Sequence, residues 1–140
     1  MSRALYHVTP YANAANILTH DYFRATSGQH YDGLSTTTDE HYWWGSKEVR
    51  FALNEEALAR DYELVNEHET IHTPNGPLNE SEVVVLSDGP ILQIHRYVVR
   101  IDYYLPKTRL DLRSFKLFVQ ALRTYVSRYK TPTNVLVRKS

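Results

Sequence analysis

At 140 residues, with sixteen Lys and Arg balanced by sixteen Asp and Glu, the chain can bury about two thirds of its unfolded surface, and no global charge draws it to nucleic acid or an acidic membrane. The absence of cysteine excludes a disulfide framework, a thiolate zinc site and a cysteine nucleophile together. No apolar run approaches the ~20 residues that span a bilayer, and Met1-Ser2-Arg3 leads into polar sequence, which predicts a single, unexported, cytoplasmic domain over residues 1–140.

Ala4-Leu5-Tyr6-His7-Val8 is rich in strand formers, and Thr9-Pro10 follows as a helix start, with Thr9 as N-cap and Pro10 in the first turn. Ala14, Ile17 and Leu18 recur at helical spacing and predict a short helix from Tyr11 to about His20. Ser27-Gly28 and Asp32-Gly33 mark Arg24 to Gly33 as a loop. Leu34 to Thr38 then reads as a hydroxyl-rich strand, with Asp39 capping a short turn through Trp44. Val49 to Leu53 alternates as a strand, and Asn54 caps a helix bearing Ala57, Leu58 and Tyr62 on one side.

From Glu63 to Asn79 the sequence is polar, with Pro74-Asn75-Gly76-Pro77 as its tip, and reads as a long working loop. Glu82 to Ser87 reads as the central strand, turned by Ser87-Asp88-Gly89-Pro90 into a hairpin with a long strand from Leu92 to Asp102. Leu112 to Lys130 carries Phe115, Phe118, Leu122, Val126 and Tyr129 on a 3.6-residue stripe with basic residues opposite, a peripheral helix. Val135 to Arg138 reads as a last strand at a sheet edge. The pattern predicts an α+β domain with a sheet-dominated core.

The chemistry-bearing residues form few groups. His68 and His72 share the i, i+4 spacing of a zinc pair, but Pro74 breaks any helix there and no metal is expected. No phosphate-cradling glycine loop and no glycine-flanked serine is present. Asn79-Glu80-Ser81-Glu82 opens a β-branched run, and a strand turns Glu80 and Glu82 to one face.

His7 on a first strand, Ser35-Thr36-Thr37 on a second and Glu80-Ser81-Glu82 at the head of a later one resemble, in order and spacing, the ADP-ribosyltransferase superfamily, including its small bacterial and phage members. The likeness extends to Leu5-Tyr6-His7-Val8-Thr9 followed by a helix, and covers roughly residues 4 to 102. It implies two small sheets forming a cleft that takes NAD as substrate. In it His7 and Thr9 would meet the cofactor, Ser35, Thr36 and Thr37 would support the site, Glu82 would catalyse and Glu80 would orient the acceptor.

The branch with a Ser-Thr-Ser strand and Glu-x-Glu usually opens with Arg, so Arg3 stands as an alternative to His7. Tyr42 and Tyr31 are both candidates to stack on nicotinamide. The implied reaction cleaves the nicotinamide–ribose bond and transfers ADP-ribose to a protein or nucleic-acid acceptor. A carboxylate beside the ribose would stabilise the oxocarbenium-like charge, as in glycoside hydrolysis. Two alternatives share the fold: an inactive binding or virion structural module, and an RNA phosphotransferase. The second is favoured by the basic C-terminal helix but lacks the expected second histidine motif.

Overall fold

A computed structural model describes residues 3–27, 31–41, 47–67, 70–73, 76–79 and 82–137. The first strand, β1 (Ala4–Thr9), runs into α1 (Tyr11–His20), followed by β2 (Tyr22–Phe23), β3 (Thr26–Ser27), β4 (Asp32–Thr37) and β5 (Val49–Asn54). Next come α2 (Glu55–Asp61), β6 (Leu64–Glu67), β7 (Thr70–Thr73), β8 (Gly76–Asn79), β9 (Glu82–Leu86) and β10 (Ile91–Leu92). The chain closes with β11 (Val98–Tyr104), α3 (Leu112–Tyr129) and β12 (Thr133–Leu136). The architecture is mixed α+β. One eight-stranded sheet has the order β12-β11-β5-β1-β4-β9-β6 with β3 beside β4, and β10–β2 and β7–β8 form separate two-stranded ribbons.

The two separate sheets of the sequence reading are therefore one sheet with a narrow waist. β1 pairs with β5 along its whole length, from Ala4 opposite Asn54 to Thr9 opposite Val49, yet it meets β4 at a single pair, Tyr6 opposite Thr37. The same edge of β4 is taken further along by β3, with Thr26 opposite Gly33, while β9 occupies the other edge from Gly33 to Thr37. Between Thr37 and Gly33, then, one edge of β4 has no strand partner among the described residues.

Alternation along the strands sends Leu5, Phe51, Leu53, Val83, Val85 and Ile101 to one face, and all are essentially fully buried. α1 and α3 cover that face. Tyr11 packs edge-on against Phe115 at 5.2 Å and tilted against Phe118 at 5.7 Å, and its hydroxyl donates to the Tyr104 carbonyl. α3, expected at the periphery, thus gives Phe118, Leu122 and Tyr125 to the core while its outer face stays in solvent. No helix among the described residues is long and apolar enough to cross a membrane.

Several elements depart from the sequence reading. Thr9 does not cap α1, because it stays in the β1 ladder opposite Val49 and the cap position passes to Pro10, whose carbonyl accepts from Ala14 N at 2.9 Å. Asn54 does cap α2, through Oδ1 and Ala57 N at 3.0 Å. The loop from Arg24 to Gly33 holds β3, and the long loop from Glu63 holds β6, β7 and β8. β6, Leu64-Val65-Asn66-Glu67, is a sheet edge with one paired side among the described residues; only Leu64 of it packs against the core, too short a pattern to read as a strand.

The hairpin between β9 and the following strand does not form. Gln93 takes a left-handed φ of 53° and starts a 3-10 turn over Ile94–Arg96, which carries β11 across the sheet to lie against β5. β1, not β9, holds the middle of the sheet. Asp39 accepts from His41 N at 2.9 Å as a turn, while the rest of that turn, residues 42–44, lies outside the described residues. So do Pro74, Asn75, His68 and Arg138.

Gly33 makes one backbone demand explicit. It sits at φ +155°, and a Cβ there would fall on the Val85 carbonyl of the neighbouring strand. Gly33→Ala must therefore push β4 from β9 or twist its backbone, and should lower the stability read from urea denaturation by about 1–3 kcal/mol, as overpacking does. A variant as stable as the parent would mean that the two strands part freely at this point.

Candidate active site

The edge of β4 that lacks a strand is closed by a side chain instead. His7 Nδ1 lies 3.0 Å from the Ser35 carbonyl oxygen, where a continued ladder would have placed a backbone donor. A carbonyl only accepts, so Nδ1 carries the proton and Nε2 is left as an acceptor. Burial holds the half-buried imidazole well down, to about pKa 4; the Ser35 carbonyl opposes this and the Lys47 charge adds to it. The ring is neutral at pH 7 and rests edge-on against Phe23, 5.3 Å between centroids.

Ser35 meets a second functional group. β9 runs antiparallel to β4 with Glu82 opposite Thr37 and Val84 opposite Ser35, so Ser35 and Glu82 are diagonal neighbours on one face. The Ser35 hydroxyl donates to Glu82 Oε2. One serine thus takes the imidazole at its carbonyl and holds the carboxylate with its hydroxyl. The fold brings His7 to Ser35, 28 positions on, at the gap between β1 and β3, and Glu82 to Ser35, 47 positions back, across the β4–β9 ladder.

A cavity of about 550 Å³ opens at this gap. His7, Thr9 and Ser35 line it from the strands, Asn13 and Asn16 from one side of α1, and Phe23 from its floor. Arg24 and Lys47 also line it and, among the described residues, no Asp or Glu does, which makes it a place for an anion. Asn13 and Asn16 stand at i, i+3, a spacing visible in the sequence but without meaning until β1 fixes which side of α1 faces the gap. Arg24 and Lys47 carry no local signal at all.

The remaining expected residues divide. Thr36 is buried and donates to the Val83 carbonyl at 2.6 Å, a strand-to-strand tie. Thr37, also buried, accepts from Asp39 N at 3.1 Å and sits at the waist opposite Tyr6. Neither lines the cavity. Arg3 pairs with Glu55 at 2.8 Å at the start of α2 and is likewise absent from the lining, so of the two candidates for the first strand it is His7 that lies at the gap. Tyr31 is 40% exposed and outside the lining, and Tyr42 and Glu80 lie outside the described residues. Among the described residues no three His, Asp or Glu side chains are grouped to hold a metal.

The protonation of His7 has a measurable consequence. Its folded pKa of about 4 lies below its ordinary 6.5, so between those values the unfolded chain takes up the proton first and stability drains as pH falls. The urea midpoint of the parent should drop more between about pH 7 and pH 5 than that of His7→Gln, whose side chain does not titrate. Equal drops would put the responsible proton elsewhere.

No known family profile matches this chain, and no curated protein matches it.

Proposed function

We propose that this chain is a mono-ADP-ribosyltransferase of the ADP-ribosyltransferase superfamily, cleaving the nicotinamide–ribose bond of NAD and transferring ADP-ribose to a macromolecular acceptor. The observation that carries the reading is Ser35, which lines a cation-lined cavity together with His7, takes the His7 imidazole at its carbonyl, and holds the Glu82 carboxylate, itself outside the lining, with its hydroxyl. The resemblance implies a cleft between two sheets; here one sheet narrows to a single β1–β4 pair, and that waist supports the reading as the place where a cleft can open.

The chemistry follows from the residues. NAD enters with its diphosphate toward Arg24 and Lys47, and His7 Nε2, free to accept, takes a hydrogen bond from an adenosine-ribose hydroxyl. The bond between ribose C1′ and the nicotinamide nitrogen breaks, its electron pair leaving with nicotinamide and so neutralising the ring nitrogen. The ribose is left as an oxocarbenium-like cation. Glu82, its oxygen held by the Ser35 hydroxyl, sets a fixed negative charge against that cation. The acceptor's nucleophile then adds at C1′ and its proton passes to a base, for which Glu80, assigned to the acceptor by the resemblance, is the candidate.

Calorimetric titration with NAD tests the reading at its first step. The parent should bind, and His7→Ala should bind roughly tenfold more weakly, the worth of one hydrogen bond near the upper end of its usual range. The fold should lose no more than about 1 kcal/mol with the Ser35 contact. No heat with the parent protein, at concentrations where a folded chain is shown by its thermal transition, would sink the proposal.

A further inference from the structure

The outer face of α3 belongs to none of this. From Leu112 to Ser140 the chain has no Asp or Glu, and within α3 the exposed positions Arg113, Lys116, Gln120, Arg123 and Ser127 recur at three and four residues. At 100° per residue they fall within one narrow strip opposite the buried Phe118, Leu122 and Tyr125. Arg113 and Arg123 are ~15 Å apart along the axis, with Lys116 between them. Among the described residues none of these three cations is in an ion pair. The nearest acid in sequence, Asp111, lies against the Thr108 hydroxyl at 3.3 Å.

We propose that this strip binds the phosphate backbone of duplex nucleic acid without reading its sequence. A line of unpaired cations with neutral hydrogen-bonding groups between them, Gln120 and Ser127, complements a line of phosphates. The chain's overall charge balance makes the strip a local feature, confined to one helix face. No aromatic side chain stands on the strip, so it lacks the stacking platform by which single strands are held. Arg113, Lys116, Leu112 and Leu117 instead line a depression of about 400 Å³ beside Arg109, where a phosphate can sit among the cations with a sugar against the leucines. A flat bilayer engages protruding apolar side chains rather than a depression. Leu110, 90% exposed in the preceding turn, and the exposed Leu112 and Leu117 of α3 are side chains that would suit a bilayer, so vesicles form the second arm of the test.

The proposal stands apart from the reaction at His7 and Glu82. It is tested by fluorescence anisotropy of the parent protein with a labelled duplex of about two helical turns and arbitrary sequence. Three cations on three phosphates predict a log–log salt slope of about −2.7, that is, binding weakened roughly 40-fold between about 50 and 200 mM salt. The triple variant Arg113→Glu, Lys116→Glu, Arg123→Glu should lose binding with its thermal transition unchanged, because all three side chains are exposed. Arg113→Lys with Arg123→Lys should keep it, since a phosphate accepts a point charge. The competing arm uses phosphatidylcholine vesicles carrying about a third phosphatidylserine. Vesicle binding without duplex binding overturns the proposal, as does duplex binding that survives the charge reversal or ignores salt.

Discussion

Glu82→Gln should lower nicotinamide release from NAD at least about a hundredfold while leaving the affinity for NAD nearly unchanged. The substitution keeps the size of the side chain and an oxygen for the Ser35 hydroxyl, which now donates to Glu82 Oε2, and removes only the charge. A charge matters when the ribose becomes cationic, not when neutral ribose binds, so the loss belongs to the transition state and falls on kcat rather than on KM. The size follows from what one preorganised electrostatic group contributes in other enzymes, about 10²–10³ in rate. Ser35→Ala leaves the charge but frees the carboxylate, and should show a smaller fall of the same kind. Glu80→Gln should spare NAD hydrolysis and reduce transfer to an acceptor, because its proposed work is on the second substrate. Parent and Glu82→Gln releasing nicotinamide at the same rate would leave a binding module with no reaction of this kind, the alternative already implied by the fold resemblance.

Asp102→Ala should cost about 3–5 kcal/mol of stability, the scale on which a buried ion pair fails when one partner is removed. Asp102 is fully buried and takes Arg50 Nε at 2.9 Å and Nη2 at 2.7 Å on one oxygen, with Arg100 Nε at 2.8 Å on the other. Arg50 is itself only 8% exposed, so its guanidinium would keep its burial and lose the Asp102 carboxylate. The double substitution Arg50→Met, Asp102→Leu should be far less damaging than Asp102→Ala alone, because the buried charge leaves with its partner. The damage reaches the sheet's waist. The Arg50 guanidinium also donates to the Glu40 carbonyl and lies 5.0 Å from the ring of Tyr6, the one β1 residue paired with β4. Urea midpoints decide the matter: a loss below about 1 kcal/mol for Asp102→Ala, or a double variant worse than the single, would remove the ion pair from the account of how the two halves are joined.

What could be read from the residues alone was what depends on neighbours in sequence. The Tyr11–His20 helix, the Asn54 cap and the Leu112–Tyr129 helix rest on 3.6-residue periodicity and side-chain capping, both local, and they stand at the expected positions. The β1, β4, β5 and β9 strands were legible for the same reason, through alternation and β-branched composition, and so were His7, Ser35 and Glu82 as a set of candidates. Which strand lies beside which was not. β9 ends in a turn and is followed by an alternating segment, the local form of a hairpin, yet β11 pairs with β5 because burying Ile101 against Phe51 is settled by the whole core. Nor could the sequence say that Thr36 turns inward to Val83 while Ser35, its neighbour, faces Glu82, since alternation assigns two faces but not which is the core. The cations at Arg24 and Lys47 come to the cavity only because β1 leaves β4 after Tyr6. That parting is decided by strand pairing across the sheet, an energy shared among residues far apart in the chain, and no short stretch of sequence contains it.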